Sequence, residues 1–395
     1  MHLTIESLFS DAGIVAAIID RLLQTRKDRI YWQQYLTFRQ TTQRVFKSYL
    51  GTVTGVMAGS INSRFGEKPI RERRNIGSGY GEIAYLGDAY QMSVDRLSEL
   101  QDLIDKFNVA KPADQQNALN EIIAFVMDDF RQVSLAPHKR MDIVVGSLLM
   151  TGSAVVKNKD NRTDPNTPDL LEITLPFYGI TPTAADAIVD GKLKFLFYLR
   201  SLVARLNPQF GAFEKMVMSL ATFNKYIVGT SEFGETFRSQ LGNDQFYLAT
   251  GLIGSERASQ ILRTLGLPGI EIKEDYVEDQ DGKNVQIYAD DRISFLYSDN
   301  LGSMRWHTPY EATDPVPGRQ YTPSEGGMLI SNYRDKNGRY MEYTAEWIPE
   351  FTAPNKIVNL DLATLKAAID DMGGGSGSGS TPAASGSGSG SGVGA

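Results

Sequence analysis

The chain of 395 residues contains no cysteine, which removes disulfides, thiol catalysis and cysteine-ligated metals together. Histidine is nearly absent as well. The three are His2, His138 and His307, and no two of them have the spacing of a metal site. No apolar run approaches the roughly 18 to 20 residues that cross a bilayer. Met1-His2-Leu3-Thr4-Ile5-Glu6 lacks the basic start and apolar block of a secretion signal, so synthesis in the cytoplasm is expected. Positive charge is in deficit too, with a formal net charge of −7. That balance argues against binding nucleic acid over the whole surface, because such binding is driven by lysine and arginine displacing phosphate counterions.

Patterns that carry catalysis are also missing. Gly77-Ser78-Gly79-Tyr80-Gly81 is glycine-rich, but it lacks the G-x-G-x-x-G order and no helix follows at once, which leaves a flexible ribbon. Asp279-Gln280-Asp281-Gly282 starts like a calcium loop, yet the position that needs glutamate holds Tyr288, so it reads as a tight turn. The pairs Asp128-Asp129, Asp290-Asp291 and Asp370-Asp371 are adjacent in sequence, which sends their side chains different ways and predicts solvated surface. There is no G-x-S-x-G elbow. The expectation is a non-enzymatic chain with no cofactor and no metal.

What is present is the composition of a folded protein, 42% hydrophobic and 22% charged, with room for two or three compact subregions. The organising stretch runs from Ala113 to Asn158. Ile122, Ile123, Val126 and Phe130, then Met141, Val144, Val145, Leu148 and Leu149, repeat at helical spacing. Pro137 between them predicts either a kink or a second helix starting there, with His138 in its first turn. Thr151-Gly152 supplies the stop, and Ser153-Ala154-Val155-Val156 continues as a strand.

Before this rod, Leu8, Phe9, Val15, Ile18, Ile19, Leu22 and Leu23 predict an amphipathic N-terminal helix over Ile5 to Leu23. The aromatic cluster Tyr31, Trp32, Tyr35 and Phe38 lacks basic interleaving, which favours packing over stacking on bases. From Gln40 to Met92, β-branched residues and glycines predict a long two-stranded ribbon, irregular from Gly59 to Gly79. From Arg39 to Ile76 it holds eight basic and two acidic residues, a net +6 within an acidic protein. A hairpin of this length and charge has too little apolar surface to stand alone. Ser93 then caps a helix with Val94, Leu97, Leu100, Leu103, Ile104 and Phe107 on one face.

After the rod, Asn158 to Pro168 is a polar loop and Leu170 to Leu175 a strand. Helices are predicted over Ala184 to Asp190, Phe195 to Leu206 and Ser255 to Leu265, and a strand at Lys215 to Ser219 leads into Leu220 to Ile227. The last third is β, with strands at Ile270 to Lys273, Asn284 to Tyr288 and Ile293 to Tyr297 and a hairpin at Asn337-Gly338. In its second arm Met341, Tyr343, Ala345 and Trp347 alternate with Tyr340, Glu342, Thr344 and Glu346. Glu271 to Asp291 carries eight acidic residues against Lys273 and Lys283. Beyond Asp370-Asp371 the Gly-Ser repeats read as flexible coil.

In this order the chain resembles the major capsid proteins of tailed bacteriophages, an α+β fold of the Hong Kong 97 type, and within it the lambda-like group. The resemblance rests on Glu121 to Asn158, especially Leu148-Leu149-Met150-Thr151-Gly152 running into a strand. It rests also on Tyr276 to Gly282, on Asp290 to Leu296, on Asn300 to Trp306 and on the proline-bounded strand Trp347 to Lys356.

The resemblance implies an N-terminal arm at 1–39 and an extended β-ribbon loop at 40–92 lying over a neighbour. It implies a long spine helix and peripheral domain at 93–181, an axial domain at 182–325, return strands of the peripheral domain at 326–365 and a flexible tail at 366–395. The implied function is self-assembly of pentamers and hexamers into an icosahedral head that encloses double-stranded DNA in a virion. Implied partners are other copies of the chain, a separate scaffolding protein, a portal and a decoration protein. Covalent crosslinking is not carried over, because no matching motif is visible. Within the resemblance, Arg64, Lys68, Arg71, Arg73 and Arg74 at the ribbon tip are expected to meet acidic surface on an adjacent subunit, with Glu271, Glu274, Asp275 and Glu278 as the candidates. An encapsulin-like compartment of the same fold is the alternative, and a carboxylate-based hydrolase with a cleft joining distant acids is the alternative from another class.

Overall fold

A computed structural model describes residues 4–10, 30–43, 45–50, 77–111, 114–156, 171–235, 254–278, 282–336 and 338–374. The rest lie outside the described residues, including most of the expected N-terminal helix, the ribbon tip and the Gly-Ser tail.

The chain opens with a short helix α1 (Ile5–Ser10), whose Leu8 is buried, and a first strand β1 (Leu36–Gln40). The ribbon is the antiparallel pair β2 (Val45–Leu50) and β3 (Gly77–Glu82). Next come β4 (Ala84–Ser93) and α2 (Val94–Val109), whose N-terminus is capped as expected by Ser93 Oγ accepting the Arg96 N–H.

The rod is α3 (Gln115–Thr151), 37 residues or about 55 Å long. It runs through Pro137 as one continuous helix, although that residue has no N–H to give the Val133 carbonyl. His138 is therefore mid-helix, not in a first turn. Gly152 ends the helix at φ 75°, its N–H donating to the Leu148 carbonyl, and β5 (Ser153–Val156) pairs with β6 (Leu171–Thr174). A left-handed residue is needed at that stop, and glycine takes it without a Cβ penalty.

The middle of the chain contains β7 (Tyr178–Ile180), a single-turn α4 (Ala184–Ala187) and the two-residue strands β8 (Ile188–Val189) and β9 (Lys192–Leu193). The helix expected over Ala184 to Asp190 is cut short because Asp190 and Gly191 both have positive φ and turn the chain into the β8–β9 hairpin. Then follow α5 (Phe195–Phe210), β10 (Lys215–Ser219), α6 (Leu220–Phe223), a π-helical turn (Asn224–Val228) and α7 (Ser255–Thr264). The β-rich part holds β11 (Gly269–Lys273), β12 (Tyr276–Glu278), β13 (Asn284–Gln286), β14 (Arg292–Leu296), β15 (Gly302–His307), β16 (Gln320–Pro323), β17 (Leu329–Asp335), β18 (Gly338–Phe351) and β19 (Val358–Asp361). A last helix, α8 (Ala363–Gly374), takes up the first residues of the segment expected to be flexible.

Two sheets organise these elements. The larger has the order β1-β15-β18-β17-β16, with β4 on the other edge of β18. Its fourteen-residue β18 buries Met341, Tyr343, Ala345 and Trp347, the alternation expected from sequence. The smaller sheet has the order β11-β10-β14-β19-β7. Its strands face two cores in alternation. Met216, Met218, Ile293 and Phe295 pack with α5 and α8, whereas Val217 and Leu296 join the core around α3. Ser294 Oγ, on the α3 side, donates to the Leu149 carbonyl and ties the end of the rod to this sheet. β17 and β18 thus lie in the larger sheet and β19 in the smaller one.

The rod approaches the β12–β13 hairpin closely at Gly146. A Cβ there would stand 2.2 Å from Ile287 Cγ2 and 2.7 Å from the Ile287 carbonyl oxygen. Gly→Ala normally stabilises a helix interior by about 1 kcal/mol, but this overlap reverses the sign. Gly146→Ala is expected to lower stability by about 1–3 kcal/mol, read as a lower denaturant midpoint.

Candidate assembly surface

The described part of the arm is stitched to the body rather than extended away from it. Asp142 Oδ1 on α3 accepts the backbone N–H groups of Tyr31 (2.8 Å) and Trp32 (2.9 Å). Lys139 Nζ reaches Asp142 Oδ2 at 3.2 Å and lies 4.8 Å from the centre of the Tyr31 ring. Leu301 N–H donates to the Tyr35 carbonyl, β1 runs parallel to β15 from Leu36↔Gly302 to Gln40↔Trp306, and Thr41 N–H donates to the Trp306 carbonyl. The aromatic cluster packs, as its lack of basic neighbours predicts: Trp32 and Tyr35 are each 1% exposed.

Trp32 enters a box of rings formed with Phe38, His138 and Trp347. Its ring stacks on His138 at 5.9 Å and 8°, and Trp347 stands 4.9 Å from His138 and 5.0 Å from Phe38. Trp347 Nε1–H donates to the Gly326 carbonyl at 2.8 Å. Burial, aided by the Lys139 charge, lowers the His138 pKa to about 3, so the imidazole is neutral at ordinary pH. Burial pushes the Asp142 carboxyl up to about 6, against the opposing pull of Lys139 and the two arm N–H groups. Ser134, His138 and Asp142 share one face of α3 at four-residue spacing, and all are buried. No hydrogen bond joins the ring nitrogens of His138 to either neighbour, so this is not a nucleophile–base–acid relay. Nothing in the sequence pattern marked these three positions, because they lie on the same stripe as the apolar residues that define the helix.

The root of the ribbon is fixed by β4, which pairs with β18 from Ser93↔Gly338 to Ala84↔Trp347. Tyr343 Oη donates to Asp88 across that pairing. β3 leads into β4 at this edge, whereas β2 follows β1 from the far side of β15. The ribbon's tip residues Arg64, Lys68, Arg71, Arg73 and Arg74 lie outside the described residues.

The four acidic candidates differ in what they can offer. Glu271 on β11 is partly buried and already engaged within its own chain, by Lys215 at 2.6 Å and Lys273 at 2.7 Å, while Lys215 also contacts Asp299. Burial acts to raise the Glu271 carboxyl, but the two lysine hydrogen bonds outweigh it and hold it below the ordinary carboxylate range. Both lysines lie over Tyr35, at 5.2 and 6.0 Å from its ring centre, so this cluster anchors the arm. Glu274 and Glu278 are exposed and Asp275 partly buried, on the stretch that joins β11 to β12 and along β12. Of the adjacent acids, Asp290 is exposed as expected, whereas Asp291 is half-buried at φ 57°. It accepts Tyr226 Oη (2.7 Å) and Lys366 Nζ (2.8 Å), holding α8 to the π-helical turn.

No group of acids and histidines among the described residues has the arrangement of a metal site, and no described helix is long and apolar enough to cross a membrane. No protein-family profile and no curated protein matches the chain. Solved structures do. A protein assigned as a prophage capsid protein of E. coli CFT073 aligns over 92% of this chain and 100% of its own, at 12% identity and a TM-score of 0.50. The chain has a phage capsid-protein fold. A phage-related protein of Bordetella bronchiseptica RB50 aligns over 89% of this chain and 97% of its own, at 11% identity and a TM-score of 0.43. The satellite phage P4 procapsid aligns over 87% and 91%, at 10% identity and 0.37. The capsid fold accounts for the order of the parts: arm, ribbon, rod, a sheet on the rod's flank and a second sheet at its end.

Proposed function

We propose that the chain is the building block of a tailed-phage head, assembling with copies of itself as pentamers and hexamers into an icosahedral virion shell around double-stranded DNA. The observation that carries this reading is the capsid fold over 92% of the chain, within which the antiparallel pair β2–β3 brackets the basic stretch seen in the sequence. Within a closed shell each subunit both gives and receives such an extension. A net charge of −7 suits a DNA container, since an adhesive inner wall would hinder packing and release.

In this reading the arm is 1–39 and the loop 40–83, since 84–92 lies in β4 of the larger sheet. The peripheral unit combines α2, α3 and the larger sheet with β15 to β18, and the axial unit takes the smaller sheet with α5, α7 and α8. The ribbon tip residues Arg64, Lys68, Arg71, Arg73 and Arg74 meet Glu274, Asp275 and Glu278 of an adjacent subunit; Glu271 stays with its own lysines. A separate scaffolding protein, a portal and a decoration protein complete the set of partners.

Sedimentation velocity of the purified chain, alone and in lysate containing the scaffold, tests the reading. Boundaries far faster than that of a 43.7 kDa monomer are expected. A stable monomer or dimer under all conditions would refute it.

A further inference from the structure

We propose that residues 30–41 form a releasable strap, which lifts off α3 and the larger sheet as a unit while both cores stay folded. This is a property of the subunit itself and holds or fails whether or not the chain builds a shell.

The surface beneath the strap is the first ground. Core helices ordinarily present apolar side chains to what covers them, and buried polar atoms almost always have partners. Here the strap covers His138 and Asp142, and Ser134 is buried one turn before them on the same face. Ser134 Oγ, both ring nitrogens of His138 and Nε1 of Trp32 are buried and lack hydrogen-bond partners. Undocking exposes Trp32 Nε1 and the face of His138 that Trp32 covers, which offsets part of the lost burial of Trp32, Tyr35 and Leu36.

Position in the sheet is the second ground. β1 is at the end of the strand order, and β15 keeps its full pairing with β18 when β1 leaves. The other attachments are the Asp142 carboxylate on two N–H groups, Lys215 and Lys273 over the Tyr35 ring, Lys273 on Gln34, the backbone bonds of Tyr35 to Leu301 and Thr41 to Trp306, and Gln33 with Glu325 at the surface. Trp347 remains in β18 with its own hydrogen bond to Gly326. Trp32, Tyr35 and Leu36 belong to the core around α3, whose remaining members are joined through α3, β4 and β18.

Hydrogen exchange of the full chain tests the proposal. After correction for intrinsic rates, peptides covering 30–41 should exchange at least tenfold faster than those covering 215–219 and 341–347. His138→Phe keeps a ring of similar shape without the two nitrogens, and should lower the strap's opening equilibrium at least tenfold while leaving 215–219 unchanged. His138→Leu removes both nitrogens with an aliphatic side chain and should shift it in the same direction; it decides the matter if His138→Phe does not fold.

Acid adds a readout that plain packing would not move. The groups facing the site are Lys139 on α3, Tyr31 on the strap and Tyr288 beyond β13. Released, His138 returns toward 6.5 from about 3, so lowering the pH favours release. Asp142 does the opposite, falling toward 3.8 from about 6, so protons favour the docked state. Between pH 7 and pH 5 the two oppose each other in the wild type, whereas in His138→Phe only the Asp142 contribution remains and docking tightens severalfold. Strap amides protected to the same degree as 341–347 in the wild type would overturn the proposal. So would an opening equilibrium unchanged in both variants.

Discussion

Replacing Arg71, Arg73 and Arg74 together with glutamate is expected to cut particle formation at least tenfold while leaving the folded subunit intact. The three reversals take the segment from Arg39 to Ile76 from a net +6 to zero. Single exposed ion pairs contribute only about 0–1 kcal/mol, so no one contact should decide assembly. Repetition over every subunit of a shell multiplies a small bias, and under the proposed pairing with Glu274, Asp275 and Glu278 reversed charges become repulsion. The expected result is at least a tenfold fall in the fast-sedimenting fraction, with an unchanged melting midpoint. The complementary triple, Glu274→Lys with Asp275→Lys and Glu278→Lys, should restore particles to the arginine variant. Normal particle yield from the arginine triple would end the assignment of the ribbon tip to an acidic neighbour.

The largest loss of stability is expected from Trp347→Ala. Trp347 is fully buried on the central strand β18, touches Phe38, His138 and Trp32, and holds the Gly326 carbonyl. Truncating a buried tryptophan costs about 3–5 kcal/mol, and here it also strips the partner from a buried carbonyl. Trp32→Ala opens the same box from the other side but should cost less, because release of the strap limits the penalty to the free energy that docks it. Denaturant unfolding followed by circular dichroism separates the two. Equal losses for both would mean that the strap and β18 unfold together.

Local signals in the sequence carried well into the structure. Ser93 caps α2, Gly152 stops the rod, and the alternation from Met341 to Trp347 gives the buried face of β18. These features depend on neighbours a few residues away. Pairing across the chain was not legible. The stretch Ala84 to Met92 reads as part of the ribbon, yet it pairs with β18 some 250 residues later, because a half-buried strand looks the same whichever partner it finds. β1 was hidden inside an aromatic cluster for the same reason, and its parallel partner β15 gives it no turn signal.

The site divides in the same way. Charge imbalance was visible in composition, and it singled out both the basic ribbon and the acidic stretch from Glu271 to Asp291. Composition could not show that Glu271 is neutralised by Lys215, which stands on a neighbouring strand far away in sequence. Nor could it show that His138, beside Lys139 and Arg140, points into a box of rings and not toward water. The resemblance in the order of parts reached the fold that no single motif identified.

The most direct test of the central claim is negative-stain microscopy of the fastest-sedimenting fraction of the purified chain. Closed particles roughly tens of nanometres across, or rings and tubes of capsomers, are the predicted result. A chain that remains monomeric or dimeric across salt and concentration, with scaffold-containing lysate added, would contradict the account.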